Sequence, residues 1–156
     1  MAEKGKPIDE LDAKIISRLQ FDGRTSNTDL AKALDVSEAT IRARLKRLTD
    51  DDIIQIVAVS NPLKLGFEVT GDLNIRVDMK KMDNVISALN DFKELWYIVV
   101  TTGTSNINAE FVAKNLAELH DLVYNKLSRI DGIEQIETSV IMKYIKRRYD
   151  FGTPFS

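Results

Sequence analysis

Ser37 to Leu48, "SEATIRARLKRL", carries four cationic side chains (Arg42, Arg44, Lys46, Arg47) and one acid. The chain around it has 22 Lys/Arg against 24 Asp/Glu, and residues 1–60 have 10 against 11. Bulk charge gives no pull toward a polyanion, so an affinity for nucleic acid must come from how the charge is placed. On a helix with Ile41 at 0° and 100° per residue, Leu45 and Leu48 fall within about 40° of Ile41 and form the buried stripe. Ala39, Ala43 and Lys46 lie opposite, flanked by Thr40, Arg42 and Arg47, with Arg44 nearer the core edge. A duplex major groove is wide enough for one α-helix, and small residues on the entering face let the backbone approach and touch thymine methyls. Arg42 and Lys46 reach base edges or phosphates, Arg47 suits the phosphate backbone, and Ser37, Glu38 and Ala39 occupy the first turn, where such helices read bases. A basic helix that merely stays in solvent is the competing reading. Two nearly neutral helices with short connections before the basic one favour DNA.

Other chemistries find little support. With no cysteine there is no disulfide, no thiolate nucleophile and no Cys-ligated metal. The single histidine, His120, argues against an imidazole metal site or a catalytic triad. We therefore expect no catalytic residues, metal or cofactor. "TTGTSN" (101–106) lacks the Gly-Lys-Ser/Thr ending of a phosphate loop. His120 fits packing beside its helical neighbours better than pH sensing. Trp96 and Tyr97 fit buried strand aromatics better than a stacking platform. "KYIKRR" (143–148) fits a charged strand end better than a phosphate contact, and the tail "YDFGTPF" is expected to dock on a neighbouring subunit or stay free. No apolar run approaches the roughly 18 residues that span a bilayer. The opening "MAEKGKPIDELD" has no apolar signal core, which predicts a cytoplasmic protein.

Two regions must position these residues. From 8 to 49 the apolar period is helical. Ile8, Leu11, Ile15 and Leu19 share one stripe, with Asp9 as N-cap and Gly23 as the stop. Ser26 and Asp29 have capping-box spacing before a second helix with Leu30, Ala31 and Leu34 inward. Asp35 occupies the turn before Ser37, where a left-handed residue is needed. After Asp50-Asp51-Asp52, "IIQIVAVS" reads as a strand, serving as wing or hinge near Ile53 to Val59. From Phe67 the order is β-α-β-β-α-β. Val69, Gly71, Leu73, Ile75 and Val77 face one way in the first strand. A helix from Met82 buries Val85, Ile86, Leu89 and Phe92. A strand pair turns at Gly103-Thr104-Ser105, and a second helix buries Leu116, Leu119, Val123, Leu127 and Ile130 before Asp131-Gly132. The last strand is "IEQIETSVIMKYI". The fold class is α+β: an N-terminal winged helix-turn-helix and a C-terminal ferredoxin-like βαββαβ sandwich with helices on one sheet face. The expected divisions are 1–52 helix-turn-helix, 53–66 linker, 67–148 sandwich and 149–156 tail.

"IDELDAKIISRLQFDGRTSNTDLAKALDVSEATIRARLKRL", followed by "II…NPLKLG", resembles the Lrp/AsnC regulators, the feast/famine transcription factors of bacteria and archaea. The resemblance is most specific over residues 8–66, and the family's βαββαβ module matches residues 67–147. It implies a sequence-specific regulator of double-stranded DNA, working as a homodimer joined through its sheets or as an octamer. It also implies a small effector, typically an amino acid, bound between dimers. The matching effector positions are Thr102, Gly103, Thr104, Ser105 and Asn106, with Thr138 and Ser139. The turn reads "GTSN" where the family often has Gly-Asp-aromatic-Asp. A carboxylate for an ammonium group must then come from elsewhere, such as Glu110 or Glu137, or the ligand differs, or there is none. Asp35 and Asp52 also stand where the family often has glycine.

Two other classes share this architecture. Sirohaem decarboxylases combine the same two modules but carry histidine, tyrosine and arginine where this chain has "YIVVTTGTSNINAEF". An oligomeric sensing module that does not read DNA would have no use for the cationic face of 37–48.

Overall fold

The computed structural model describes Pro7–Phe155. The polar opening before Pro7, on which the reading of a missing signal core partly rests, lies outside the described residues. The chain divides into two compact units. One extends to Val59 and takes in the chain again from Lys146; the other is Ser60–Ile145. The divisions expected from sequence were 52/53, 66/67 and 148/149.

The first unit is a three-helix bundle. Helix α1 (Glu10–Phe21) begins with a reciprocal capping box: Asp9 accepts from Asp12 N–H at 3.0 Å and Asp12 accepts from Asp9 N–H at 3.0 Å. It ends at Asp22 rather than Gly23. The Asp22 carboxylate accepts from Arg24 N–H at 2.9 Å and its carbonyl from Thr25, so an Asx-type turn, not glycine's freedom, closes the helix. Ser26 caps α2 (Asn27–Leu34), accepting from Asp29 N–H at 3.1 Å. The reverse half of the box is absent, because the Asp29 carboxylate instead takes the Ser26 hydroxyl at 2.7 Å. Asp35 adopts the left-handed geometry the turn requires, at φ 54° and ψ 49°. Ser37 then caps α3 (Glu38–Asp50). Ile15, Ile16, Leu30, Ala31, Ile41 and Leu48 form the core, with Leu45 packed at its margin.

The expected wing does not form. Residues 53–60 contain no strand, and Ile56, Val57 and Val59 are exposed. The β-branched composition of "IIQIVAVS" favours extended backbone, but a strand exists only where a partner supplies the ladder, and none does among the described residues.

The second unit holds α4 (Pro62–Leu65), β1 (Val69–Val77), α5 (Met82–Asn90), β2 (Leu95–Val100), β3 (Ile107–Ala113), α6 (Leu116–His120) and β4 (Ile133–Val140). The antiparallel sheet has the order β2-β3-β1-β4. Val69, Leu73, Ile75 and Val77 from β1, with Ile107, Ala109, Phe111 and Ala113 from β3, meet Val85 and Leu89 of α5 in one core. Gly71 sits among them because nothing larger fits: a Cβ there would lie 1.9 Å from the Ser139 carbonyl oxygen and 3.0 Å from the Phe111 ring.

Three expectations fail here. The helix after β3 does not keep an α-period: α6 gives way to a π-helical turn over Asp121–Lys126 and a 3₁₀ turn over Leu127–Arg129. Leu119, Val123 and Leu127 are still buried and Leu122 joins them, whereas Leu116, the first residue of α6, is 69% exposed. β4 ends at Val140, leaving 141–145 irregular, so "KYIKRR" is not a strand end. Trp96 and Tyr97 are exposed rather than buried. β2 is an edge strand and its register shifts between Leu95 and Tyr97, which puts both rings outside the core.

Candidate nucleic-acid interface

α3 is held by electrostatics as well as by its apolar stripe. Asp12 of α1 has no exposed surface. Its carboxylate accepts from Arg44 Nη1 at 3.0 Å and from Arg47 Nη2, in addition to Asp9 N–H. Arg44 also donates to Asp9. A buried carboxylate is tolerable only when its lone pairs are met, and here they are. The bond from Arg44, followed by the Asp12 N–H, holds the Asp9 carboxyl down from 3.8 to about 2.

The sequence reading assigns Arg47 to the phosphate backbone; the structure pairs it with Asp12. The helical wheel puts its Cα near the outward side, but the long side chain turns back across the helix to Asp12 and is 23% exposed. It belongs to the α1–α3 clamp. The remaining outward set stays outside. Ala39 and Ala43 are exposed, and Arg42 and Lys46 are 71% and 76% exposed. Each of those two cations makes one pair along the helix, Arg42 with Glu38 at 2.7 Å and Lys46 with Asp50. Such exposed i,i+4 pairs contribute little, so a phosphate can compete for the cation. The Asp50 bond raises the Lys46 ammonium above its usual pKa, so it stays charged. Ser37, Glu38 and Thr40 are engaged at the N-terminus. Ser37 Oγ lies 2.8 Å from Thr40 Oγ1, and Glu38 accepts from Thr28 Oγ1 at 3.1 Å, tying α3 to α2.

The Thr102–Asn106 turn is placed at the end of β1. Gly103 has φ 130°, a region closed to side chains. Asn106 Oδ1 accepts from Val77 N–H at 3.0 Å and Asn106 N–H donates to Ile75 O at 3.0 Å, so that side chain shapes the turn. Thr138 and Ser139 oppose Leu73 and Asp72 further down β1, on the far neighbouring strand and on opposite sheet faces. Strand rise and spacing put them roughly 10 Å or more from the turn. A single chain therefore does not bring these seven residues into one pocket. Glu110 and Glu137 stand with Asp72 and Asn74 on the sheet face that carries no helix. Among the described residues no group of three metal-ligating side chains converges, and no helix is long and apolar enough to cross a membrane.

Sequence reasoning missed Asp12. Its signal was present, as an acid on the apolar stripe of α1 beside Ile15 and Ile16, and such a residue requires a cationic partner.

Comparison with known proteins agrees with the geometry. Residues 8–49 match the AsnC-type helix-turn-helix domain and residues 73–151 the Lrp/AsnC ligand binding domain. An uncharacterized HTH-type transcriptional regulator of Pyrococcus horikoshii is 33% identical over 143 residues, covering 91% of this chain and 90% of the relative. The HTH-type transcriptional regulator LrpA of Pyrococcus abyssi is 31% identical over 140 residues, covering 89% and 99%. The structure of E. coli AsnC superimposes with a TM-score of 0.79 at 27% identity, over 92% of this chain and 97% of that one. With a helix-turn-helix that displays a cationic third helix, followed in sequence by a βαββαβ ligand-binding module, the chain belongs to the Lrp/AsnC family of DNA-binding transcriptional regulators.

Proposed function

We infer that α3 enters the major groove and that the base-reading and phosphate-holding side chains are Arg42 and Lys46, with Ala39 and Ala43 between them. The carrying observation is the division of labour on one helix: two arginines locked to α1, and two cations projecting into solvent on either side of exposed methyl groups. The first turn, Ser37, Glu38 and Thr40, sets the angle of entry through its bonds to α2 and to its own backbone. The protein works in the cytoplasm as a homodimer or a larger assembly. Its operators are near-palindromic, with half-sites one helical turn, or a multiple, apart. Fluorescence anisotropy with genomic fragments selected by footprinting tests this. Binding should fall steeply with salt, and Arg42→Ala/Lys46→Ala should abolish sequence preference while leaving the fold intact. Preference retained by the double variant would refute the assignment.

The effector site, on this reading, is completed between subunits, because Thr102–Asn106 and Thr138–Ser139 stay apart within one chain. The uncharged turn supplies no partner for an ammonium group, so free amino acids bind weakly there. Calorimetry with the twenty amino acids checks it, and a micromolar ligand lost in Thr104→Val or Ser105→Ala would count against it.

A further inference from the structure

The aromatic tail returns to the helical unit and closes a cleft on α1. Gln20 makes two bonds with the main chain of one residue: its Nε2 donates to Gly152 O at 3.3 Å and its Oε1 accepts from Gly152 N–H at 3.1 Å. Gly152 has φ 80°, so the tail bends there in a way side-chain-bearing residues resist. Beyond the bend, Thr153 and Phe155 line a cleft of about 750 Å³ together with Lys14, Ser17, Arg18, Phe21 and Leu34. That volume lies in the range of small-molecule sites.

Its chemistry is specific. Lys14 and Arg18 are one helical turn apart, about 6 Å, a spacing one carboxylate can bridge. Among the described residues neither forms an ion pair, whereas all four cations of α3 do. The one acid in the lining is Glu10, leaving a net positive lining. Beside the cations stand the rings of Phe21, 89% exposed, and Phe155, 56% exposed. On the helical wheel Lys14, Phe21 and Arg18 lie 120–180° from Asp12, the side to which α3 is clamped. The cationic side of the cleft thus lies on the face of α1 turned away from its clamp to α3.

We propose that this cleft binds a small organic acid with an aromatic or branched apolar body, its carboxylate held by Lys14 and Arg18 and its body between Phe21 and Phe155. The site shares no residue with the proposed effector turn, Thr102–Asn106, and does not rest on the reading of α3. A bound acid touches both α1 and the tail, and so adds to the two Gln20–Gly152 bonds that hold the tail in place.

Titrating phenylacetate into the intact protein, followed by calorimetry and by backbone amide NMR, tests it. One site per chain is expected, with shifts concentrated on α1 and on Thr153 and Phe155. Lys14→Gln/Arg18→Gln should weaken binding about tenfold or more, Phe155→Ala about fivefold, and Thr104→Val not at all. All four side chains are at the surface, so the variants keep the fold, and Arg18→Lys should restore most of the affinity in an otherwise unaltered chain. Phenylethylamine, with the same ring and the opposite charge, should not bind. No interaction with phenylacetate at millimolar concentration, equal affinity in the charge variants, or loss in Thr104→Val would each overturn the proposal.

Discussion

Arg47 on α3 donates to the carboxylate of Asp12 on α1, a side chain with no solvent exposure, 35 residues away in sequence. The contact leaves Arg42 and Lys46 as the two cations of α3 that are not bonded to α1. Arg44 and Arg47 fix where α3 lies on α1, and Arg42 and Lys46 project into solvent from that fixed base.

Arg47→Ala should therefore act on stability. It removes one of the donors to a buried carboxylate while leaving Arg44 and Asp9 N–H, and a cost of about 1–3 kcal/mol is expected. Urea unfolding measures it. In a double-mutant cycle with Asp12→Ala the two losses should be clearly less than additive, because both remove the same interaction. The salt slope of DNA binding should be unchanged under conditions where the variant is folded.

Arg42→Ala and Lys46→Ala should leave the unfolding midpoint almost unmoved, since each loses only an exposed pair. Each should relax preference at particular base pairs by about 1–3 kcal/mol. Selection of bound sequences from a randomised operator reads this directly.

Asp50→Asn removes the acid that Lys46 pairs with at the C-terminal end of α3. Freeing the ammonium and taking one negative charge from a helix C-terminus both favour the change. Affinity for DNA of any sequence should rise a few-fold at low salt, and the gain should fade as salt is added.

Asp9 gives a pH signature. Its folded pKa, about 2, lies below the ordinary 3.8, so the unfolded chain binds the proton more readily. The stabilisation is present in full above pH 4 and is lost as pH falls from there through about 2. In Asp9→Asn the acid-side decline in stability between those values should be shallower than in the parent, as followed by thermal melts across the range.

Gly71→Ala places a Cβ 1.9 Å from the Ser139 carbonyl, so β1 and β4 must part or shift. Overpacking against backbone offers no flexible side chain to move aside, and a loss of about 3 kcal/mol or more is expected. The loss should appear in the unfolding of the sandwich unit, with the helical unit unaffected.

By itself the sequence determined the elements whose signals are local. Asp9, Ser26 and Ser37 cap the helices they mark, because a cap needs only its own next three residues. Alternation over Val69–Val77 fixed which face of β1 is buried, because the strand period is set by the backbone. Only the tertiary structure decided the outcomes that depend on a distant partner. Arg47 turns inward because Asp12 waits there, and "IIQIVAVS" forms no strand because no neighbouring strand lies beside it among the described residues. Trp96 and Tyr97 stay outside because β2 lies at the sheet edge with a register shift, and Gly152 meets Gln20 across 132 residues. Each of these is a long-range pairing, and propensity and periodicity carry no information about which remote group will be present to complete it.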